Sequence, residues 1–198
     1  MYKIKNSKEL NEIIYDLNNK NFQEALQKTK LISEKFPEEK IIVKLFASIY
    51  FNLKDWSNAV RYYKKSLIFE NIKFKIHLNI GVALFNLGKI NQSIISFKNS
   101  IEENPNFNLA HNNLGISYLE LGKYEKATKH FVHALELNKK DLNAKKNLIN
   151  ILNLIRPKNK DEHPLIKIND KITKIKSDLK ITNPLKEENI KLIINKSN

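Results

Sequence analysis

The chain has 198 residues, a hydrophobic fraction of 41% and a formal net charge of +14 at pH 7. With 4 Gly, 5 Pro and no Cys, the composition disfavours a β-rich or low-complexity chain, and it excludes disulfides, thiolate zinc sites and cysteine nucleophiles. The N-terminus lacks the apolar core of a secretory signal and no stretch approaches the roughly 18 apolar residues of a membrane span, so a cytoplasmic protein is expected.

Residues 6–39 are predicted to form two amphipathic helices joined by a short turn. The apolar residues of the first helix lie at helical spacing: Leu10, Ile13, Ile14 and Leu17. Glu12 and Asp16 interrupt the apolar pattern. We expect both to lie on an outer, solvent-facing side, as is common in a terminal repeat, and an error in register is the alternative.

The same two-helix pattern recurs in residues 40–73, 74–107 and 108–141. In the last of these segments the first helix carries Ala110, Leu114, Tyr118 and Leu121 at steps of four, four and three. Gly122 and Lys123 interrupt the pattern, and a second apolar stripe follows. Two amphipathic helices joined by so short a turn are predicted to lie antiparallel and to pack face to face.

A shift of 34 residues superposes the repeat packing positions of the three segments. The residues Gly115, Tyr118, Gly122, Tyr124, Ala127, Phe131 and Ala134 correspond to Gly81, Leu84, Gly88, Ile90, Ser93, Phe97 and Ser100, and these to Ala47, Tyr50, Lys54, Trp56, Ala59, Tyr63 and Ser66. Small residues are predicted where paired helices cross, and rings fill the remaining space. This pattern resembles the tetratricopeptide repeat. The resemblance implies an all-α fold, a right-handed α-solenoid of stacked antiparallel helix pairs, and a role in binding.

The domain organisation predicted from this resemblance is a repeat domain over residues 6–157 and a basic C-terminal tail over residues 158–198. The domain contains the four repeats and a capping helix at 142–156, in which Leu148, Ile149 and Leu152 take the packing positions. The tail is predicted to be a linker followed by one or two short helices, or to be partly disordered.

The first helices of such repeats line a concave groove, and the resemblance therefore implies a peptide-binding groove here. Its predicted residues are Lys75, Asn79, Val82, Phe85, Asn113, Ile116, Leu119 and Asn147. The three asparagines are 34 residues apart and resemble the asparagine ladder in the repeat domain of O-linked N-acetylglucosamine transferase. Such amides can pair with peptide backbone without reading side chains. The alternative is that asparagine is simply common in this chain.

A second resemblance concerns the repeat domains that clamp the C-terminal carboxylates of chaperones. Lys75, Asn79 and Asn113 match the first three residues of that clamp. Asn143 and Asn147 stand where the clamp has its last lysine and arginine. Without these two cations, much of the charge-assisted hydrogen bonding to a carboxylate is lost, so the sequence disfavours a complete clamp.

Histidines are the remaining candidates for metal chemistry. His130 and His133 lie three apart on one predicted helix, a spacing that can share a metal ion, and His77 and His111 occupy equivalent places in two repeats. No carboxylate accompanies either pair in a known metal motif, which favours ordinary surface or packing histidines. The chain also has no glycine-rich phosphate loop and no recognisable catalytic set. We therefore expect no enzyme activity, metal, cofactor or small-molecule substrate.

These features predict a non-catalytic adaptor that binds an extended peptide or a helix of another protein, with Lys75 favouring an acidic residue. One alternative is a targeting or regulatory module of a group-transferase system such as a glycosyltransferase. Another is a basic nucleic-acid-binding protein. Nucleic-acid sites favour clustered arginine, whereas here lysines are scattered along the chain and arginine occurs only at Arg61 and Arg156, so the composition disfavours that alternative.

Overall fold

The computed structural model describes residues 7–37 and 39–154, and these ranges contain helices and no β-strand. The helices are α1 (Lys8–Asn18), α2 (Phe22–Lys35), α3 (Lys40–Asn52), α4 (Trp56–Ser66), α5 (Phe74–Asn86), α6 (Ile90–Glu103), α7 (Asn108–Glu120), α8 (Tyr124–Leu137) and α9 (Leu142–Leu154). The starts of α3, α5, α7 and α9 are 34 residues apart, as are those of α2, α4, α6 and α8.

The chain divides into two compact units, Met1–Glu103 and Asn104–Asn198. In the first unit, each of the helices α1 to α5 packs against the next one along the chain. In the second unit, α8 packs against both α7 and α9, and α9 also contacts α7. The predicted tail and the last residues of the predicted capping helix lie outside the described residues. No described helix is both long and apolar enough to cross a membrane.

The close approach of paired helices depends on glycine facing phenylalanine. A Cβ atom built on Gly115 would lie 2.6 Å from Cε1 of Phe131, and one built on Gly81 would overlap the ring of Phe97 in the same way. Both rings are buried, with 0% and 1% of their surface exposed. Because the rings are enclosed, they cannot move aside cheaply, and each glycine is required where its two helices cross.

The turns inside the four helix pairs share one backbone conformation. The second residue after each first helix has a positive φ: Lys20 (61°), Lys54 (60°), Gly88 (72°) and Gly122 (66°). The next backbone N–H then donates to a carbonyl five residues earlier, as Lys123 does to Tyr118 at 2.8 Å. This pattern is the Schellman motif that ends many helices, and glycine is its preferred residue because it has no Cβ. The two lysines therefore adopt a strained conformation at the place where the later repeats have glycine.

The first repeat departs from the expected pattern at Asp16. Glu12 is exposed, but the prediction that Asp16 also faces solvent is wrong, since it is only 6% exposed. Its carboxylate lies 2.7 Å from Nζ of Lys28, which also lies 3.7 Å from Glu12. The hydrogen bond to Asp16 is the main reason that the pKa of Lys28 is raised. In the second pair the equivalent residues, Tyr50 and Tyr62, stack on each other. An ion pair thus takes the place of a ring pair.

Candidate peptide-binding faces

One side of α5 carries the predicted groove residues of the first unit, and we call it the α5 face: Lys75, Asn79, Val82 and Phe85. Lys75 is exposed, and the other three are half-buried. The opposite side of the helix carries the buried residues Ile80, Gly81, Ala83 and Leu84. Helical periodicity therefore separates a packed side from an accessible side that is partly apolar.

Asn79 is attached to the neighbouring helix α4. Its Nδ2 donates a hydrogen bond to Oη of Tyr63 at 3.0 Å. Burial raises the pKa of Tyr63 to about 12, against a smaller opposite effect of the Asn79 bond, so the phenol is neutral at physiological pH. The bond uses one amide N–H and fixes the orientation of the group. The carbonyl oxygen and the second N–H of Asn79 remain as bonding capacity for a ligand.

The α7 face, in the second unit, repeats this arrangement with Asn113, Ile116 and Leu119. All three are half-buried, whereas Leu114 and Tyr118 on the opposite side are buried. Nδ2 of Asn113 donates to the backbone oxygen of Leu109 at 2.8 Å, one turn earlier in the same helix. The amide of Asn113 is thus held by its own helix, unlike that of Asn79.

On α9, Asn147 is half-buried and its Nδ2 donates to Oδ1 of Asn112 at 3.0 Å. Asn112 is a buried side chain of α7, with 5% of its surface exposed. A second link joins the starts of the same two helices, since Nδ2 of Asn108 donates to Asp141 at 2.8 Å. The α7–α9 contact is thus polar at two points, and sequence reasoning did not identify Asn112 as a partner.

The structure places the predicted row of amides in three different local settings. Asn79 bonds across to α4, Asn113 bonds to its own helix, and Asn147 bonds across to α7. The series is interrupted on α3, where Leu45 is 8% exposed and belongs to a buried apolar cluster. Asn143, which takes the place of a clamp cation, is exposed.

The predicted packing residues differ in how deeply they are buried. Those that are buried are Ala47, Ala59, Gly81, Leu84, Phe97, Gly115, Tyr118, Ala127, Phe131 and Ala134. Four aromatic residues are less enclosed. Tyr50 and Tyr63 are half-buried. Trp56 is half-buried and meets Phe51 edge-on at a ring separation of 5.4 Å, and Tyr124 is 41% exposed at the start of α8.

Three of the histidines come together in the second unit, a grouping that the sequence alone did not reveal. His111 on α7 is 6% exposed, and its Nδ1 lies 3.2 Å from Nδ1 of His130 on α8. The ring of His133 meets that of His111 edge-on, with centroids 4.3 Å apart. Within the described residues, no group of three or more His, Cys, Asp or Glu side chains could hold a metal ion.

Comparison with known proteins gives two matches to the tetratricopeptide repeat model, over residues 74–107 and 109–141. No curated protein matches the chain by sequence. Among solved structures, MamA is similar with a TM-score of 0.68 and 15% identity, over 95% of this chain and 97% of that one.

Two isolated repeat domains are similar over a shorter part of the chain. The OM64 domain of Arabidopsis has a TM-score of 0.55 and 21% identity, over 59% of this chain and 96% of that domain. The first repeat domain of RPAP3 (Spaghetti), bound to the HSP90 peptide SRMEEVD, has the same TM-score and identity, over 59% of this chain and 93% of that one. These likenesses concern the fold. Together with the two repeat matches and the adjacent pairing of the helices, they identify the chain as an all-α member of the tetratricopeptide repeat family.

Proposed function

We propose that this protein is a non-catalytic adaptor that binds an extended peptide or a helix of another protein on the α5 face and the α7 face. The repeats within residues 6–141 would form the binding domain and residues 142–156 its cap. Tetratricopeptide repeats stack helix pairs and leave their first helices available to a partner, which favours binding over catalysis.

The observation that carries the proposal is the repeated composition of the two faces. Each has an asparagine followed, at steps of three, by two apolar side chains: Val82 and Phe85 on α5, Ile116 and Leu119 on α7. All of these side chains are half-buried. A half-buried apolar residue gains free energy when a partner covers its remaining surface, at about 25 cal/mol per Å² of apolar area.

The asparagines supply the polar part of the proposed contact. Each uses one N–H within the protein, so that its orientation is set before a ligand arrives. Its carbonyl oxygen can then accept from a peptide N–H, and its second N–H can donate to a peptide carbonyl. Pre-oriented groups lose less conformational entropy on binding. Such contacts hold backbone, and the apolar residues and Lys75 would select side chains.

Lys75 gives the α5 face its preference for an acidic residue in the partner. It is exposed, and its Nζ lies 5.8 Å from the ring centroid of Phe74. The related RPAP3 domain binds an HSP90 peptide whose sequence, SRMEEVD, is acidic. The asparagines at 143 and 147 make a strong grip on a terminal carboxylate less favourable here, so we propose that an internal peptide segment is bound.

Site-specific photo-crosslinking in the native cell tests the assignment of the faces. A benzoylphenylalanine at Phe85 or at Leu119 is expected to capture the partner. The matched control positions are Lys98 on α6 and Lys129 on α8, which are exposed on second helices. Capture of the same protein with equal yield from the control positions would contradict the proposal.

The affinity of a peptide from the captured partner then tests individual contacts. Asn113→Ala is expected to weaken binding by about 1 kcal/mol, because it removes one hydrogen-bonding amide without touching another helix. Phe85→Ala is expected to weaken it by more than 1 kcal/mol through lost apolar contact. If both variants bind as tightly as the original chain in calorimetry, the faces are wrongly assigned.

A further inference from the structure

The histidines His111, His130 and His133 form one contact group, which we call the histidine cluster. His111 Nδ1 faces His130 Nδ1 at 3.2 Å, and His111 Nε2 lies 3.0 Å from the backbone oxygen of Pro105. His133 packs edge-on against His111, and its Nδ1 lies 3.1 Å from Oε2 of Glu136. The cluster therefore joins α7 to α8 through three imidazole side chains.

The hydrogen bonds assign the neutral form of the central pair. A carbonyl oxygen can only accept, so Nε2 of His111 carries the hydrogen that is donated to Pro105. Neutral His111 then has a lone pair on Nδ1. Nδ1 of His130 must carry a hydrogen and donate to it. Among the neutral tautomers, only this arrangement gives both ring nitrogens of the buried His111 a hydrogen bond.

The pair can take up one proton at Nε2 of His130 and keep this hydrogen bond, because a single hydrogen still lies between the two Nδ1 atoms. A second proton would have to bind Nδ1 of His111. With both rings charged, two N–H groups face each other at 3.2 Å, and the hydrogen bond between α7 and α8 becomes a repulsion between like charges. The edge-on ring of His133 brings a third positive charge to the same place when it is protonated. Acidification therefore opposes the contact that holds the cluster together.

The charges around the cluster decide whether this repulsion is offset. The carboxylate of Glu136 contacts the cluster at its half-exposed edge, where Oε2 lies 3.1 Å from Nδ1 of His133. Of the other acidic groups in the described part of this unit, Glu125 pairs with Lys129, Asp141 binds Asn108 and caps α9, and Glu120 is exposed at the end of α7. Tyr118 stacks on His130, and Nζ of Lys126 lies 5.7 Å from the centroid of the Tyr118 ring. These contacts place a carboxylate at His133 and an ammonium group beside Tyr118.

The same place in the α5–α6 pair contains a single histidine. His77 corresponds to His111, while Ser96 and Asn99 stand where α8 has His130 and His133. The contrast between two otherwise similar helix pairs isolates the cluster as the difference. We propose that the histidine cluster makes the α7–α8 pair an acid-sensitive element, which opens as the pH falls from about 7 towards 5 while the α5–α6 pair responds less.

The direction of the pH effect on the α7–α8 pair follows from proton linkage. Burial lowers the pKa of His111 from its ordinary value of 6.5, the bond to Pro105 opposes this, and the charge of His133 lowers the pKa further. Between the lowered pKa and 6.5, the open form binds a proton that the closed form does not. The closed form is thus fully favoured above about pH 7 and loses stability as the pH falls through this interval. Burial also lowers the pKa of His77. The stability of the α5–α6 pair therefore also falls on acidification, but through one group.

Amide hydrogen exchange of the full chain at pH 7.5, 6.5 and 5.5 tests the proposal, after correction for the intrinsic exchange rates. Each proton bound only by the open form raises the opening constant by up to about tenfold per pH unit. We expect the opening constant of α7–α8 to rise at least about tenfold more than that of α5–α6 over this range. Equal pH dependence of the two pairs would overturn the proposal.

The double variant H130S/H133N gives α8 the residues that α6 has at the equivalent positions, and it is the matched test. It is expected to reduce the pH dependence of α7–α8 to that of α5–α6, whereas His77→Asn should leave α7–α8 unchanged. Retention of the full pH dependence in H130S/H133N would contradict the role of the cluster.

Imidazole NMR titration of the unmodified chain gives an answer even where the variant does not fold. His111 and His130 are expected to titrate in two coupled steps, the first keeping one hydrogen between the two Nδ1 atoms and the second occurring only at lower pH. Independent single-step titrations of both rings near 6.5 would exclude the cluster as an acid-sensitive contact.

Discussion

The α5–α6 pair of the first unit and the α7–α8 pair of the second unit share their backbone design and differ in their polar interior. Both have a glycine against a buried phenylalanine ring, and both turn through a glycine with positive φ. Between the helices, however, α6 supplies buried serines, of which Ser100 donates to the backbone oxygen of Phe74 at 2.7 Å. The α8 helix supplies histidines instead.

This difference shows which positions of the repeat are constrained. The glycines and phenylalanines set the distance between paired helices, so that a change at one of them strains the other. The polar positions between them tolerate a hydroxyl, an imidazole or, in the first pair, a carboxylate, provided that each finds a partner. The two pairs can therefore acquire different ligands or different pH responses on one framework.

The largest expected effect concerns the contact between glycine and phenylalanine that both helix pairs share. Gly81→Ala and Gly115→Ala should each lower the free energy of unfolding by about 1–3 kcal/mol, because the new Cβ atom overlaps an enclosed ring. Alanine is a better helix former than glycine by up to about 1 kcal/mol, so a purely local effect would have the opposite sign. Urea denaturation measures the difference.

The control for this prediction replaces the ring. In a Phe131→Leu background, the additional change Gly115→Ala should cost much less than in the original chain, because the smaller side chain leaves room for the methyl group. If Gly115→Ala stabilises the original chain, the close contact with Phe131 does not govern this helix crossing.

An intermediate effect is expected for the two asparagines, which have the same place in the repeat and different partners. Asn79→Ala should destabilise the chain by about 1 kcal/mol, because it removes the partner of the half-buried Tyr63 hydroxyl on another helix. Asn113→Ala loses a bond to its own helix and should stay within about 0.5 kcal/mol of the original stability.

A double-mutant cycle sharpens the contrast between these asparagines. The cost of Asn79→Ala should shrink in a Tyr63→Phe background, where the hydroxyl is absent, whereas the cost of Asn113→Ala should not change. The free energies of unfolding of all variants by urea denaturation supply the cycle. Equal costs for Asn79→Ala in both backgrounds would show that the bond between α5 and α4 contributes nothing.

The smallest expected effect concerns the turns, where the first two pairs have a lysine in place of the glycine of the other two. Lys54→Gly should raise the free energy of unfolding by about 0.5 kcal/mol, because relief of the positive φ outweighs the greater freedom of glycine in the unfolded chain. Gly122→Lys should lower it by a similar amount. Since nothing lies within 4 Å of a Cβ at Gly122, a loss seen by thermal denaturation reports the backbone conformation and not a steric clash.

Several parts of the fold and site were predictable from sequence. The repeat and its helix-turn-helix units follow from the spacing of apolar and small residues, and the family was recognised from Gly115, Phe131 and their equivalents. The predicted solvent exposure of Asp16 was wrong, since the residue is buried. A carboxylate is expected at the surface unless its partner is known. Lys28, which pairs with it, lies on the next helix.

The amino-acid sequence by itself determined the all-α class, the 34-residue period and the sides of the helices that pack, because these depend on local periodicity and on residue size. The tertiary structure decided which polar groups meet. The bonds of Asn79 to Tyr63 and of Asn147 to Asn112, and the contact of His111 with His130, join residues on different helices at hydrogen-bond distance. Periodicity assigns such residues to a side of a helix, but only the packing of one helix on another sets the distance between two particular atoms.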